Sequence, residues 1–293
     1  MIIKTYKELS FYLEMFKNDN ADLLILEGAG GLSKSRLVEE VMKDKEYLKI
    51  ASHVTPMKLY TLGFEHQNLP IVFDDCECLL QNDSNIALLK MFCDTDETKE
   101  INWFTTSGIL DKAGIPEKYE TRSKVIIICN RFNELTEKIS ALKDRGFLLE
   151  FRPHNTEILA KMQELIPIIY PNVSIEEKTK VYKLIEKYSN VSEISLRTLI
   201  KGISLYKECV SKGIDWQTLL LNSLELNQKL ILLDKLIREH EKDIDRIKVW
   251  EERGYSRRSY YDHKAKLSAK LQTPVENLHE TPLLQKDCIN AQT

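Results

Sequence analysis

No stretch of the chain is long and apolar enough to cross a bilayer. About 18 consecutive apolar residues would be needed, and the 293 residues contain no such run. The N-terminal MIIKTYKELSFYLEMFKNDN lacks the apolar core of a secretory signal. A cytoplasmic protein with no membrane partner is therefore expected. Cysteine is sparse in pattern: of 6, at 76, 78, 93, 129, 209 and 288, only Cys76 and Cys78 are close. C-x-C alone is not a metal site, and three of the six lie in or beside apolar segments, where a thiol acts as a small hydrophobe. Reduced core thiols are expected. Net charge is nearly absent too: 42 basic and 45 acidic residues leave -3, so any basic patch must be local. Internal repeats and low-complexity segments are missing as well.

What is present is a large apolar fraction, 43%, enough for a sizeable core in two or three domains. Apolar runs at 23–27, 48–52, 69–75, 124–130 and 146–151 read as strands, and the first four are separated by amphipathic helical segments. Continuous apolar strands alternating with helices indicate a parallel sheet buried on both faces, an α/β fold. After Phe151 the pattern is helical to about Lys270, and a polar tail is expected from Thr273. The boundaries expected are 1–152 for the α/β domain, 153–210 for a first helical part, 211–272 for a second and 273–293 for the tail.

The segment LLILEGAGGLSKSRLVEE, residues 23–40, is a strand, a glycine-rich turn and a helix. That is the setting of a phosphate-binding loop, G-x-x-x-x-G-K-[ST], with Ser33 where the last glycine stands. Backbone N–H groups from Gly28 to Arg36 (Gly28, Ala29, Gly30, Gly31, Leu32, Ser33, Lys34, Ser35, Arg36) would cradle phosphates at a helix N-terminus. Lys34 would reach the β- and γ-phosphates, and the Ser35 hydroxyl would ligate Mg²⁺. Ser33 costs about 1 kcal/mol if the position requires a positive φ. An incidental glycine turn is the competing reading.

About forty residues on, LPIVFDDCE ends a strand in Asp74 and Asp75. Asp74 suits a Mg²⁺ ligand and Asp75 a base for the attacking water, with Glu77 as its substitute. KVIIICN ends in Asn130, able to bond a γ-phosphate or orient the water; Arg145 precedes the last strand, and Arg197 opens a later helix. In this order the features resemble the AAA+ ATPases, over about residues 20–205. The resemblance makes Lys34 and Ser35 the Walker A pair and Asp74 and Asp75 the Walker B acids. Asn130 then looks like sensor 1, Arg145 like an arginine finger acting in trans, and Arg197 like sensor 2. It implies a five-stranded parallel sheet with an all-helical lid, ATP and Mg²⁺ as cofactors, and a homo-oligomer, either a hexamer or a helical filament. The departures, Ser33 and Asp75, bear on the rate of hydrolysis more than on binding. A GTPase is disfavoured, because Asn130-Arg131-Phe132-Asn133 lacks the Lys and Asp of N-K-x-D.

INWFTT, before sensor 1, reads as a hairpin arm or a loop. Trp103 and Phe104 either stack on a ligand or pack on the sheet. Further on, a helix, a turn at Gly254 and a helix capped by Ser256 give helix-turn-helix spacing. From Arg253 to Lys270 six Lys/Arg face one acid, Asp262. Arg253, Arg257, Arg258, Tyr260, Tyr261, Lys264 and Lys266 are the expected DNA-contacting residues, as in phage and transposon modules. A solvated basic face and a protein-docking helix are the alternatives. The reading is a DNA-associated AAA+ ATPase of a mobile element, with a replication or transposition protein as partner: a helicase, a helicase loader or a transposition regulator. The competitors are a slowly or non-hydrolysing ATP-gated assembly protein and a protein-remodelling chaperone.

Overall fold

The computed structural model describes residues 1–271 apart from 52, 106–107, 131–141 and 225. The expected tail from Thr273 and residues 131–133 of the N-K-x-D comparison lie outside the described residues. The chain divides into two compact units, Met1–Pro153 and the residues from His154 onward.

The first unit is built on a parallel sheet. Its strands are β1 (Ile2–Ile3), β2 (Leu23–Gly28), β3 (Leu48–Ile50), β4 (Ile71–Asp74), β7 (Val125–Cys129) and β8 (Phe147–Phe151). They lie in the order β1-β8-β2-β7-β4-β3, with every pair parallel. The sheet therefore has six strands where five were expected. The sixth, β1, is two residues long, too short to leave a periodic signal, and it pairs with β8 at the edge. Leu23, Ile25, Val125 and Ile127 are buried on one face, in a cluster with Leu59, Tyr60, Leu88, Leu89 and Phe92. Those residues come from α3 (Pro56–Glu65) and α4 (Asp83–Phe92). The alternate residues Leu24, Leu26, Leu149 and Phe151 face the other way, where Tyr6 of α1 (Tyr6–Lys17) meets the Phe151 ring at 5.1 Å. Because both faces are covered, the strands read as unbroken apolar runs.

Helix α1 begins with a capping box, Thr5 accepting from the Glu8 amide while the Glu8 carboxylate accepts from the Lys4 and Thr5 amides. Helix α2 (Lys34–Met42) follows the glycine-rich turn. A separate hairpin, β5 (Lys99–Asn102) with β6 (Lys118–Thr121), carries a short helix α5 (Ile109–Ala113) between its strands. Trp103 packs against the core cluster, whereas Phe104 is 76% exposed. At the lower edge of the sheet the buried Lys99 ammonium pairs with Asp22 at 3.0 Å and bonds the Ser123 carbonyl. Cys76, Cys93, Cys129 and Cys209 are buried in the core, as expected of core cysteines.

The second unit is helical throughout its described residues. Helices α6 (Asn155–Leu165), α7 (Ile175–Tyr188) and α9 (Trp216–Ser223) each pack on α8 (Leu196–Lys212). Helix α8 runs past residue 210, so the expected boundary at 210/211 falls inside a helix. Helices α10 (Gln228–Glu239), α11 (Asp243–Glu252) and α12 (Arg257–Leu271) pack on one another around Trp250, Tyr260, Leu233 and Leu267. Between α11 and α12 the chain turns at Gly254, whose φ of +84 is a left-handed value. Ser256 accepts a hydrogen bond from the Ser259 amide at 3.2 Å, an N-cap on α12.

Candidate nucleotide site

Parallel strands all deliver their carboxyl ends to one edge of the sheet, and ligands in open α/β sheets bind in the crevice beyond that edge. Here β2 delivers Gly28, β4 delivers Asp74 and β7 is followed by Asn130, on three adjacent strands. The topology thus gathers residues 28, 74 and 130.

The turn after β2 is shaped for close approach. A Cβ on Gly28 would lie 2.8 Å from the Phe151 carbonyl of β8, so only glycine fits there. Gly31 has φ +82 and Ser33 φ +58, both left-handed. Ser33 therefore does occupy a position of the kind that penalises a side chain. The Tyr6 hydroxyl donates to the Leu32 carbonyl at 3.2 Å and pins the turn to α1. Side chains of Thr5, Thr55 and Asn82 cap α1, α3 and α4, but Ser33 makes no capping bond to α2. Ser33 thus supplies no side-chain cap at the N-terminus of α2, the point where an anion would sit.

Lys34 is 6% exposed and donates to the Gly28 carbonyl at 2.7 Å and the Ala29 carbonyl at 3.0 Å, with Asn130 Oδ1 at 3.4 Å. Ser35 Oγ donates to Asp74 Oδ1 at 2.6 Å. Asn130 Nδ2 donates to Asp75 Oδ1 at 3.2 Å, so Asn130 bridges the lysine and the second acid. Asp75 is exposed and left-handed at φ +54. Its amide bonds the Ile128 carbonyl at 3.1 Å, extending the ladder between β4 and β7 by one bond. Arg36 is exposed on α2. Glu77 opens a single 3-10 turn, Glu77–Leu80, and its side chain lies outside what is described. Ser35 and Asp74 are hard oxygen donors within one coordination sphere of each other. Mg²⁺ favours that chemistry, and it takes few protein ligands and completes its shell with water and phosphate. The residues present fit the ion. Among the described residues no cluster of three or more acidic, His or Cys side chains offers a metal cage.

Lys49, in the middle of β3, was not singled out in the sequence. Its ammonium reaches Asp74 Oδ2 at 3.0 Å and Glu39 Oε1 of α2 at 2.6 Å. The Glu39 hydrogen bond, opposed by burial and reinforced by Asp74, holds its pKa above the usual lysine value. An edge-strand lysine ordinarily guards against strand pairing, so the sequence offers nothing that separates this lysine from such a guard.

Arg145 is not at this site. The register pairs Leu24 with Phe147 and Gly28 with Phe151, which puts Arg145 level with Asp22. At about 3.3 Å per residue that is about 20 Å below the loop. It is close enough to Cys93 to act on that thiol, which burial pushes up to about 12 while Lys99 and Arg145 pull it down. Arg197 is exposed in the first turn of α8, in the second unit.

Two of the expected DNA-contacting residues are corrected by the structure. Tyr260 is 0% exposed, and its hydroxyl donates to Asp243 Oδ1 at 2.8 Å. Lys264 is 7% exposed, and its ammonium donates to Asp243 Oδ2 at 2.6 Å. Both tie α12 to the start of α11 and face inward. Burial and the Asp243 bond push the Tyr260 phenol above its usual range. Arg253, Arg257, Arg258, Tyr261 and Lys266 are exposed.

No protein-family model matches the chain. It is similar to an uncharacterised 36.7 kDa protein from the nrdC-mobD intergenic region of Enterobacteria phage T4, 26% identical over 166 residues. The match covers 51% of this chain and 51% of that protein, so the chain spans about half the length of the curated relative. Among solved structures it is similar to three mutants of Thermotoga maritima RuvB. The first has a TM-score of 0.49 at 13% identity, over 93% of this chain and 83% of that one. The second has 0.49 at 13%, over 94% and 83%, and the third 0.48 at 14%, over 94% and 83%. In its own architecture the chain resembles the AAA+ ATPases: a parallel αβα sheet, a phosphate-type loop between β2 and α2, and a helical region after it.

Proposed function

We propose that the chain is an ATP-binding AAA+ ATPase that works as a homo-oligomer on DNA. The observation that carries this reading is the convergence of Lys34, Ser35, Asp74 and Asn130 at the carboxyl edge of β2, β4 and β7. The amides of residues 28–36 bind the phosphate oxygens, and Lys34 leaves its loop carbonyls for the β- and γ-phosphates. Ser35 and Asp74 hold Mg²⁺, which, when bound with the nucleotide, neutralises charge on those phosphates. Asp75, or Glu77 in its place, takes the proton of the attacking water, and Asn130 orients that water. Arg145 lies too far from its own loop to serve it and acts on a neighbour's, which is why the active form is an assembly, a hexamer or a helical filament. In the helical second unit Arg197 keeps the sensor 2 role that the resemblance implies, and Arg253, Arg257, Arg258, Tyr261 and Lys266 supply a helix-turn-helix-like DNA contact.

Slow turnover is favoured by one observation: Asp75 holds a left-handed backbone with its carboxylate already bonded to Asn130. An ATP-gated assembly protein with little hydrolysis is therefore the second reading. Steady-state ATPase with and without DNA, beside electron microscopy with an ATP analogue, tests both. DNA-stimulated turnover that falls at least a hundredfold, about 2.7 kcal/mol of barrier, in Lys34→Ala supports the first. Nucleotide-dependent assemblies with negligible turnover support the second. A chain that binds no nucleotide sinks both.

A further inference from the structure

Ser35 and Asp74 are bonded to each other, and the oxygen of Asp74 that Ser35 does not use is held by Lys49. A tethered ammonium thus occupies one side of the carboxylate assigned above to Mg²⁺. Lys49 has a second anchor, Glu39 on α2, so it can leave Asp74 without losing a partner for its charge. The two acceptors belong to different elements, β4 and the helix that opens with the phosphate loop.

Resting on the nucleotide-site reading, we propose that Lys49 is a built-in competitor of Mg²⁺ for Asp74, and that Glu39 sets the balance of that competition. Without the ion, the ammonium neutralises Asp74 and keeps the Ser35–Asp74 pair closed. It also places positive charge beside the triphosphate site, so nucleotide binds with reduced dependence on Mg²⁺. Entry of the ion displaces Lys49 towards Glu39, because two cations on one carboxylate repel each other. Helix α2 carries both Glu39 and the phosphate-binding amides, so the displacement is felt at the loop. Lys49 is a positioning residue, acting through Asp74.

The test is a titration of the full chain with a fluorescent ATP analogue, in EDTA and at graded Mg²⁺, with thermal melts to show that each variant is folded. Lys49→Met keeps the apolar stem and removes the charge. It is expected to weaken binding in EDTA and to lower the Mg²⁺ midpoint about fivefold, the scale of a partly exposed ion pair. Lys49→Arg restores the wild-type midpoint in part. Glu39→Gln removes the alternative anchor and raises the midpoint, and the double variant behaves as Lys49→Met. Overturning results are a Lys49→Met midpoint equal to or above wild type, or Glu39→Gln and Lys49→Arg titrating identically; these two decide the matter if Lys49→Met does not fold. A wild-type chain that binds no analogue at any Mg²⁺ concentration refutes the nucleotide site itself, a different outcome from binding with an unchanged midpoint.

Discussion

Ser33 stands at φ +58 immediately before Lys34, and an L-residue there is strained by about 1 kcal/mol. Glycine at this position relieves the strain and keeps the amide, so Ser33→Gly should raise the melting temperature of the first unit by about 2–4 °C. Calorimetry of the intact chain reads this directly. Ser33→Val, β-branched at the same φ, should lower it by at least as much. Asp75, at φ +54, carries a similar strain, though Asp is among the residues that tolerate it. Replacing its carboxylate while keeping the shape, Asp75→Asn, should leave nucleotide affinity near wild type and reduce turnover at least tenfold, about 1.4 kcal/mol. Equal turnover in single-turnover assays would point to Glu77 as the group that takes the proton.

At the level of elements, α11 and α12 are joined by one carboxylate. Asp243 receives Tyr260, Lys264 and Arg246, at 2.8, 2.6 and 2.9 Å. Burial works to raise its pKa, and the three donors outweigh it, so the folded value lies below the unfolded one. The stability it contributes is therefore complete above about pH 4, the unfolded value, and is lost as pH falls through the folded one. Asp243→Asn leaves two buried cations with a weaker partner and should cost about 3 kcal/mol in urea unfolding at pH 7, with a flatter pH dependence below pH 4. Gly254→Ala, at φ +84, should cost about 1 kcal/mol by the same assay. These helices also mark how far the sequence could be read. β2, β4 and β7 were legible because both their faces are buried, and unbroken apolar runs admit little else. Gly254 and Ser256 were legible as turn and cap. Which face of α12 points inward was not, since Tyr260 and Lys264 share a basic, aromatic stretch with Arg257 and Tyr261, and only packing against Trp250 and Asp243 separates them. α1 left a signal that was passed over, Thr5-x-x-Glu8 followed by Leu9, Leu13 and Phe16. The role of Lys49 left none, because its two partners come from elements distant in sequence.

For the whole molecule, the proposed action of Arg145 on a neighbour's loop would make turnover a property of neighbours. Specific ATPase activity should rise with protein concentration. Lys34→Ala and Arg145→Ala, each inactive alone, should regain turnover when mixed, since one protomer then lends its arginine to the other's intact loop. A mixture that stays inactive, although light scattering shows co-assembly, would exclude a role in trans. The burial of Tyr260 and Lys264 has a consequence at this scale that can be counted in ions. It leaves Arg253, Arg257, Arg258 and Lys266 as the exposed cations of the expected set. Four phosphate contacts release about 3.6 counterions, so binding by a single protomer should weaken about a hundredfold between 50 and 200 mM salt. Linked copies would multiply their occupancy through effective concentration. Under the proposed function, DNA retention in salt would therefore gauge how many protomers ATP brings together, steepening with each one added.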